Sequence, residues 1–243
     1  DLHSFPTRRS SDLDLHSFKF IFTDCCNMQN IEVAYELKDV TDYFIASPAS
    51  IPDTGAPYDK IIPDLFNYND VQMYQKTCDD YFSVLETEDG HLPMAVIQSS
   101  QMPQLAQATK TILESIYNTD TAIDMDKLIY YWTYDANHPD NTKERIMYDM
   151  NDFLLRHAQT ADYQQWLKAY NQAVVYKKRS DHWQWHESRS YTQYADFEVT
   201  EERYGGVSMF VPLERYKETI FKYNELIPKL AWYHAVGWAE LGW

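Results

Sequence analysis

Residues 18–48 read FKFIFTDCCNMQNIEVAYELKDVTDYFIASP, and this stretch decides the fold. Aromatic side chains alternate at its start and Ile21 keeps the run apolar, which predicts a buried strand of a parallel sheet: Phe18, Phe20 and Phe22. Apolar residues then recur at helical spacing, which predicts an amphipathic helix: Ile31, Val33, Ala34, Leu37 and Val40. A second strand is predicted at Tyr43–Ala46. The stretch is therefore a strand, helix, strand unit.

Cys26 lies just beyond the end of the first predicted strand. Crossovers of this kind place functional groups at the C-terminal edge of the sheet, so Cys26 and residues 47–58 are expected at one edge. Amides at the start of the following helix would stabilise a thiolate there and make it nucleophilic. The alternative is a buried cysteine that packs as a small apolar residue. A thiol nucleophile also needs a base, usually histidine, and no histidine of this chain is placed by its sequence position to serve.

Several motifs of the chain resemble one known family. The run Asp24-Cys25-Cys26-Asn27-Met28 resembles a strand end that carries a nucleophilic cysteine, and residues 32–37, EVAYEL, resemble the helix that follows it. Further blocks match at residues 45–48 (IASP), 51–58 (IPDTGAPY) and 205–212 (GGVSMFVP). The family is the clostripain-like cysteine peptidases, which have a caspase-like α/β fold. The resemblance is dense over residues 19–60, weaker over 94–115, and recurs over 204–238.

The resemblance implies a fold and a set of site residues. The expected fold is α/β, with a caspase-like sheet of mostly parallel strands flanked by helices, incomplete at the N-terminus, and with a helical, aromatic-rich C-terminal part. Cys26 matches the nucleophile of the family. Asp24 and Asp53 match carboxylates of a substrate-binding pocket for Arg or Lys. The expected function is cleavage of a peptide or protein after a basic residue.

The base implied by the resemblance is missing from the sequence. Family members carry their catalytic histidine in a His-Gly pair that follows an earlier strand, and no His-Gly pair occurs in this chain. We therefore expect the chain as given to be inactive, although the intact protein would be an endopeptidase. The alternative is a non-catalytic caspase-like protein with a binding or cell-envelope role. The resemblance implies no cofactor, with calcium as an option, and a secreted or bacterial cell-envelope location.

The first residues of the chain look foreign to the fold. Residues 3–13, HSFPTRRSSDL, resemble the in-frame translation of a sequencing adapter, and residues 14–18 repeat residues 1–5. Such segments are set aside before fold reasoning. Residues 1–18 are thus expected to be an artefact or a disordered tail, and residues 19–243 the C-terminal portion of a clostripain-like peptidase domain. The alternative is a genuine polar tail that carries the basic pair Arg8-Arg9.

Charge and composition exclude several classes of protein. The net charge of −16 disfavours binding to nucleic acid, which needs a basic face, and is compatible with basic substrates. No run of about 18 apolar residues occurs, so no membrane span is expected. Three cysteines, two of them adjacent, are expected to be free thiols.

Two other clusters resemble metal sites, and we expect neither to bind a metal. His182 and His186 have helical zinc-ligand spacing, but Trp183 and Trp185 alternate with them as on a strand, so a solvated face is favoured. Residues 120–126 contain three aspartates but lack the glycine and terminal glutamate of a calcium loop.

Later elements are predicted from periodicity alone. Helices are expected at residues 58–66, 71–85, 101–117, 149–158, 163–176 and 220–241, and a strand at 94–97. Residues 130–132 fit either a strand or a buried helical turn. No repeat, linker or change in composition divides the chain further.

Overall fold

The computed structural model describes residues 18–52, 54–85, 92–118, 123–133, 145–180, 183, 199–212 and 223–242. In these ranges the strands are β1 (Ile21–Phe22), β2 (Tyr43–Ala46), β3 (Pro93–Gln98), β4 (Tyr130–Thr133), β5 (Arg145–Asp149), β6 (Val174–Arg179) and β7 (Ser208–Met209). The helices are α1 (Ile31–Glu36), α2 (Tyr58–Asn67), α3 (Asp70–Leu85), α4 (Met102–Tyr117), α5 (Met150–His157), α6 (Thr160–Ala173), α7 (Tyr223–Leu226) and α8 (Ala231–Ala235). Short 3₁₀ helices span Ser99–Gln101 and Ile227–Lys229. None of the helices within these ranges is long and apolar enough to cross a membrane.

The central sheet is mixed, so the expectation of mostly parallel strands is wrong. Its order is β1-β2-β3-β6, and β1 pairs with β2 in parallel, whereas β2–β3 and β3–β6 are antiparallel. The reason lies in the connections. The single helix α1 brings the chain back to the edge of the sheet where β1 starts, so β2 runs parallel to β1. Two successive helices, α2 and α3, bring the chain back to the edge where β2 ends, so β3 runs antiparallel to β2. Strands β4, β5 and β7 form a second, antiparallel sheet.

Helices cover both faces of the central sheet. Phe44 and Ala46 of β2 belong to the larger apolar cluster, which also contains residues of α1, α4, α5, α6 and α8. Ile45, between them, belongs to a second cluster with residues of α2 and α3. Because successive side chains of a strand point to opposite faces, the sheet is the middle layer of three.

Three further expectations need correction. Phe18 is 65% exposed and β1 is half-buried, because β1 lies at the edge of the described sheet and not in its interior. The helix expected to reach residue 176 ends at Ala173, because Val174–Arg179 pairs with β3. The expected closing helix is broken into α7, a 3₁₀ turn and α8, which residues near Gly237, at φ +74°, bring to an end.

The carboxylate of Asp149 connects the start of α5 to the segment that leads into β7. Its Oδ1 accepts the N–H groups of Asn151 and Asp152 and so caps α5. Its Oδ2 accepts the N–H groups of Gly205 and Gly206, and also the hydroxyl of Tyr131. Burial raises the pKa of Asp149 to about 6. This carboxylate fixes the path of the chain into β7.

Candidate active site

Cys26 lies exposed in a turn between β1 and α1. The next residue, Asn27, has φ +57°, a left-handed conformation that Asn adopts more readily than most residues. The N–H of Asn27 donates to the carbonyl of Ala49 at 2.9 Å, and the N–H of Gln29 donates to Ser47 at 2.9 Å. The turn is therefore bonded to the loop after β2, and the expected meeting of Cys26 with that loop is confirmed.

The sulfur of Cys26 accepts a hydrogen bond from the loop after β2. The N–H of Ile51 lies 3.3 Å from Cys26 Sγ. Helix α1 begins only at Ile31, and its N-terminus is capped by Asn30, whose Oδ1 accepts the N–H of Val33 at 2.8 Å. The amide that reaches the thiol is thus one from the loop and not one from the helix.

The three cysteines are free thiols, as expected, but they differ in environment. Cys25 and Cys26 are exposed, whereas Cys78 is buried in the cluster between the sheet and α3. Burial raises the pKa of the Cys78 thiol well above its usual value. Cys78 therefore stays protonated and packs as an apolar residue.

Asp24, two residues before Cys26, has its carboxylate held by three donors. The N–H of Ala56 and the hydroxyl of Tyr58 donate to Oδ2 at 3.0 Å and 3.1 Å. The hydroxyl of Tyr81, from α3, donates to Oδ1 at 3.0 Å. Burial, and then the charge of Asp24, raise the pKa of both tyrosines. The hydroxyls therefore stay protonated as donors to the carboxylate.

Gly55 forms the floor beneath this carboxylate. Its φ is +68°, and a Cβ placed on it would lie 2.8 Å from Asp24 Oδ2. Both the backbone conformation and the space therefore require glycine. Gly55 and Tyr58 belong to the motif at residues 51–58, so a local signal existed for them. Tyr81 carried no local signal, because the helical pattern of α3 does not tell which of its residues meets Asp24.

The described part of the chain brings no histidine to Cys26. His157 contacts the carbonyls of Phe153 and Asp124 at 2.7 Å and 2.8 Å, and His234 lies exposed on α8. The other histidines lie outside the described residues: His3, His16, His91, His138, His182 and His186. Asp53 lies outside them as well. The described residues also contain no group of three or more His, Cys, Asp or Glu that could hold a metal ion.

Solved structures resemble this chain over most of its length. A B. fragilis cysteine protease matches with a TM-score of 0.74 and 26% identity, over 93% of this chain and 90% of the protease. An inactive zymogen C11 protease from Parabacteroides distasonis matches with a TM-score of 0.73 and 25% identity, over 90% of this chain. A clostripain from Bacteroides thetaiotaomicron, in complex with the peptide inhibitor BTN-VLTK-AOMK, matches with a TM-score of 0.69 and 25% identity, over 90% of this chain and 87% of the clostripain. The chain spans only 59% of the Parabacteroides protein. No curated protein sequence matches it.

The chain shares its α/β fold with these cysteine proteases, and this likeness places it in the class of cysteine peptidases. The sequence model of the clostripain family matches residues 10–243. The chain belongs to the clostripain family, and the resemblance carried by its motifs is confirmed.

Proposed function

We propose that Cys26 is the nucleophile of an endopeptidase that cleaves after Arg or Lys, with Asp24 in the pocket for the basic side chain. One observation carries the proposal. The loop after β2 donates one amide to the sulfur of Cys26, from Ile51, and another to the carboxylate of Asp24, from Ala56. Thiol and carboxylate are thereby held on one loop at one edge of the sheet, where a substrate could meet both.

The proposed reaction follows from a thiolate at this position. A histidine takes the proton of the thiol, the sulfur forms a bond to the carbonyl carbon of the substrate, the C–N bond breaks, and the departing amine takes that proton from the histidine. Water, deprotonated by the same histidine, then hydrolyses the thioester and releases Cys26. Backbone amides near the thiol would stabilise the oxyanion. No step of this reaction requires a cofactor. If calcium is bound, its proposed role is structural, and this is tested by adding EDTA.

The proposed specificity is supported by charge. Asp24 is half-buried beside the thiol, and the chain carries a net charge of −16, which favours a cationic substrate. The Bacteroides thetaiotaomicron clostripain was solved with a peptide inhibitor whose peptide part, VLTK, ends in lysine. Asp53 is proposed as a second carboxylate for the same side chain.

We also propose that the chain as given is inactive, because no His-Gly pair occurs in it. The test is turnover of fluorogenic peptides with Arg or Lys before the scissile bond, under reducing conditions. No turnover is expected from this chain. Turnover that Cys26→Ala abolishes and Cys25→Ala preserves would contradict the inactivity and would point to a histidine of this chain as the base.

The nucleophile is tested in a form of the protein that turns over these peptides. Cys26→Ala should abolish turnover and Cys25→Ala should preserve it, while Asp24→Asn should remove the preference for basic residues. Equal turnover by the active form and its Cys26→Ala variant would overturn the proposal. The genomic coding sequence is a second test, because a His-Gly codon pair after a strand supports the peptidase. Absence of the codon pair would favour the alternative function, a non-catalytic binding protein. That alternative is also supported by the lack of a histidine near Cys26 among the described residues.

A further inference from the structure

Asp24 has few hydrogen-bond positions left for a substrate. A carboxylate offers about four acceptor positions, two on each oxygen. Ala56 and Tyr58 fill both positions of Oδ2, and Tyr81 fills one of Oδ1. Gly55 also covers Oδ2, since even one added carbon would lie 2.8 Å from it. With the donors of the described residues counted, a single acceptor position therefore remains, on Oδ1.

The rings of Tyr58 and Tyr81 both pack against the end of β1. Phe22 lies edge-on to them, with centroids 6.5 Å and 6.4 Å away. Tyr81 is 1% exposed on α3, whereas Tyr58, at the start of α2, is half-exposed and is positioned by Phe22 and by its hydrogen bond to Asp24. The two hydroxyls therefore reach the carboxylate from different elements.

Arginine and lysine differ in how they use a carboxylate. An arginine gains most from a bidentate contact, in which two parallel N–H groups reach both oxygens. A lysine ammonium is a point charge that needs only one open acceptor. We propose that Tyr58 and Tyr81 determine specificity by positioning Asp24 so that its free acceptor position lies on Oδ1. The pocket then selects a positively charged side chain and accepts lysine at least as well as arginine. This inference rests on the proposed role of Asp24 in substrate binding.

The test measures alkylation of Cys26, which needs no turnover. Acyloxymethyl ketones on one peptide, ending in lysine, arginine or uncharged norleucine, are reacted with a Cys25→Ser background at a pH alkaline enough to ionise a free thiol. Intact mass gives the rate, and peptide mapping confirms the labelled residue. The lysine reagent should react at least as fast as the arginine reagent, and both should be about tenfold faster than the norleucine reagent, since charge-assisted bonds are the stronger ones.

Removing the hydroxyl of Tyr58 should restore the arginine advantage. Tyr58→Phe frees a position on Oδ2, so both oxygens are open to the two N–H groups of an arginine, and the arginine-to-lysine rate ratio should rise by about threefold or more. Tyr81→Phe frees only a second position on Oδ1, so its ratio should rise less. Tyr176→Phe is the matched control, because its hydroxyl donates at 2.7 Å to another aspartate, Asp79. Its ratio should stay unchanged. Tyr58→Phe is expected to fold, because Tyr58 is 48% exposed.

The outcomes separate this inference from the proposed function. If the norleucine reagent reacts as fast as the basic ones, the basic pocket itself is wrong, and this inference fails with it. If the basic reagents are faster but arginine is preferred more than about tenfold in the unchanged protein, the single-acceptor pocket is wrong while the proposed function stands. An unchanged ratio in folded Tyr58→Phe would likewise overturn this inference alone.

Discussion

The carboxylate of Glu32 accepts the backbone N–H of Phe210 at 2.9 Å, across 178 residues of sequence. Glu32 lies in the first turn of α1, just after the Cys26 turn, and is 4% exposed. The neighbouring residue Gln29 accepts the N–H of Ser208 at 3.0 Å, so the chain around β7 lies directly behind the turn. Burial raises the pKa of Glu32 to about 7, although the bond from Phe210 opposes this shift. An ionisable contact therefore supports the segment that carries the thiol.

Stability should depend on pH through Glu32. Because its pKa rises from 4.5 to about 7 on folding, its stabilising contribution is complete below pH 4.5 and is lost as the pH rises through about 7. The loss corresponds to about 3 kcal/mol. Glu32→Gln should remove this part of the pH dependence in urea unfolding measured from pH 4 to 8, and be the more stable form at pH 8.

Two comparisons sharpen the Glu32 measurement. Glu114→Gln, at a half-exposed site on α4, is the matched control for a Glu-to-Gln change outside the core. The dependence between pH 3.8 and about 6 that comes from buried Asp149 should remain in both variants, since its pKa is also raised by burial. A Glu32→Gln profile that parallels the unchanged protein up to pH 8 would show that the carboxyl does not titrate as described.

Gly55→Ala should destabilise the pocket. The new methyl group would meet Asp24 Oδ2 at 2.8 Å, and φ +68° is itself strained for alanine. The strain alone costs about 1–2 kcal/mol, and displacement of a carboxylate held by three donors adds to it. Gly242→Ala is the control, because Gly242 has φ +93° with no atom within 4 Å of the new carbon. Urea unfolding should show the larger loss for Gly55→Ala; equal losses would mean that Asp24 moves freely.

The sequence predicted those elements whose own pattern is strong. Strand β2 was expected at Tyr43–Ala46 and lies there, and α2, α3 and α4 begin and end within about two residues of the predicted bounds. The first half of strand β6, residues 174–176, is instead predicted as the end of a helix. These residues continue the periodic pattern of α6, but they pair with β3 in the structure. Tertiary pairing of this kind overrides local preference.

The residues of the candidate site also differ in how well the sequence predicts them. Asp24 and Cys26 are neighbours in sequence, and the strand, helix, strand pattern places the following loop beside them. Tyr81 reaches Asp24 from 57 residues away, and only the packing of α3 on the sheet decides which helical residue does so. The antiparallel direction of β3 could not be predicted either, because it depends on α2 and α3 acting as a pair and not as one crossover.

Loss of Arg203 should be costly because its partner is fully buried. Its Nε and Nη2 donate to the two oxygens of Asp152 at 2.8 Å and 2.7 Å, and the side chain of Asp152 is 0% exposed. Arg203→Met should lower the free energy of unfolding by about 3 kcal/mol, because it takes the cation away from a buried carboxylate that keeps the N–H of Ile129 as a donor. Lys110→Met, which breaks the exposed 3.5 Å pair with Glu240, should change it by less than about 0.5 kcal/mol. Similar losses in the two variants would contradict the difference in burial.

The left-handed backbone of Asn27 should hold the preceding residue, Cys26, in position. Asn27 has φ +57°, which a β-branched residue avoids, so Asn27→Val should cost about 1–2 kcal/mol of stability and move Cys26 away from the N–H of Ile51. Asn27→Gly tolerates the conformation and should preserve the position of Cys26. Lys127→Val is the control for strain alone, since Lys127 has φ +56° and is exposed elsewhere in the fold. Asn27→Val should change the rate at which iodoacetamide alkylates Cys26, measured by peptide mapping, whereas Lys127→Val should lose similar stability without that change. If both valine variants alkylate at the rate of the unchanged protein, the backbone at Asn27 does not position the thiol.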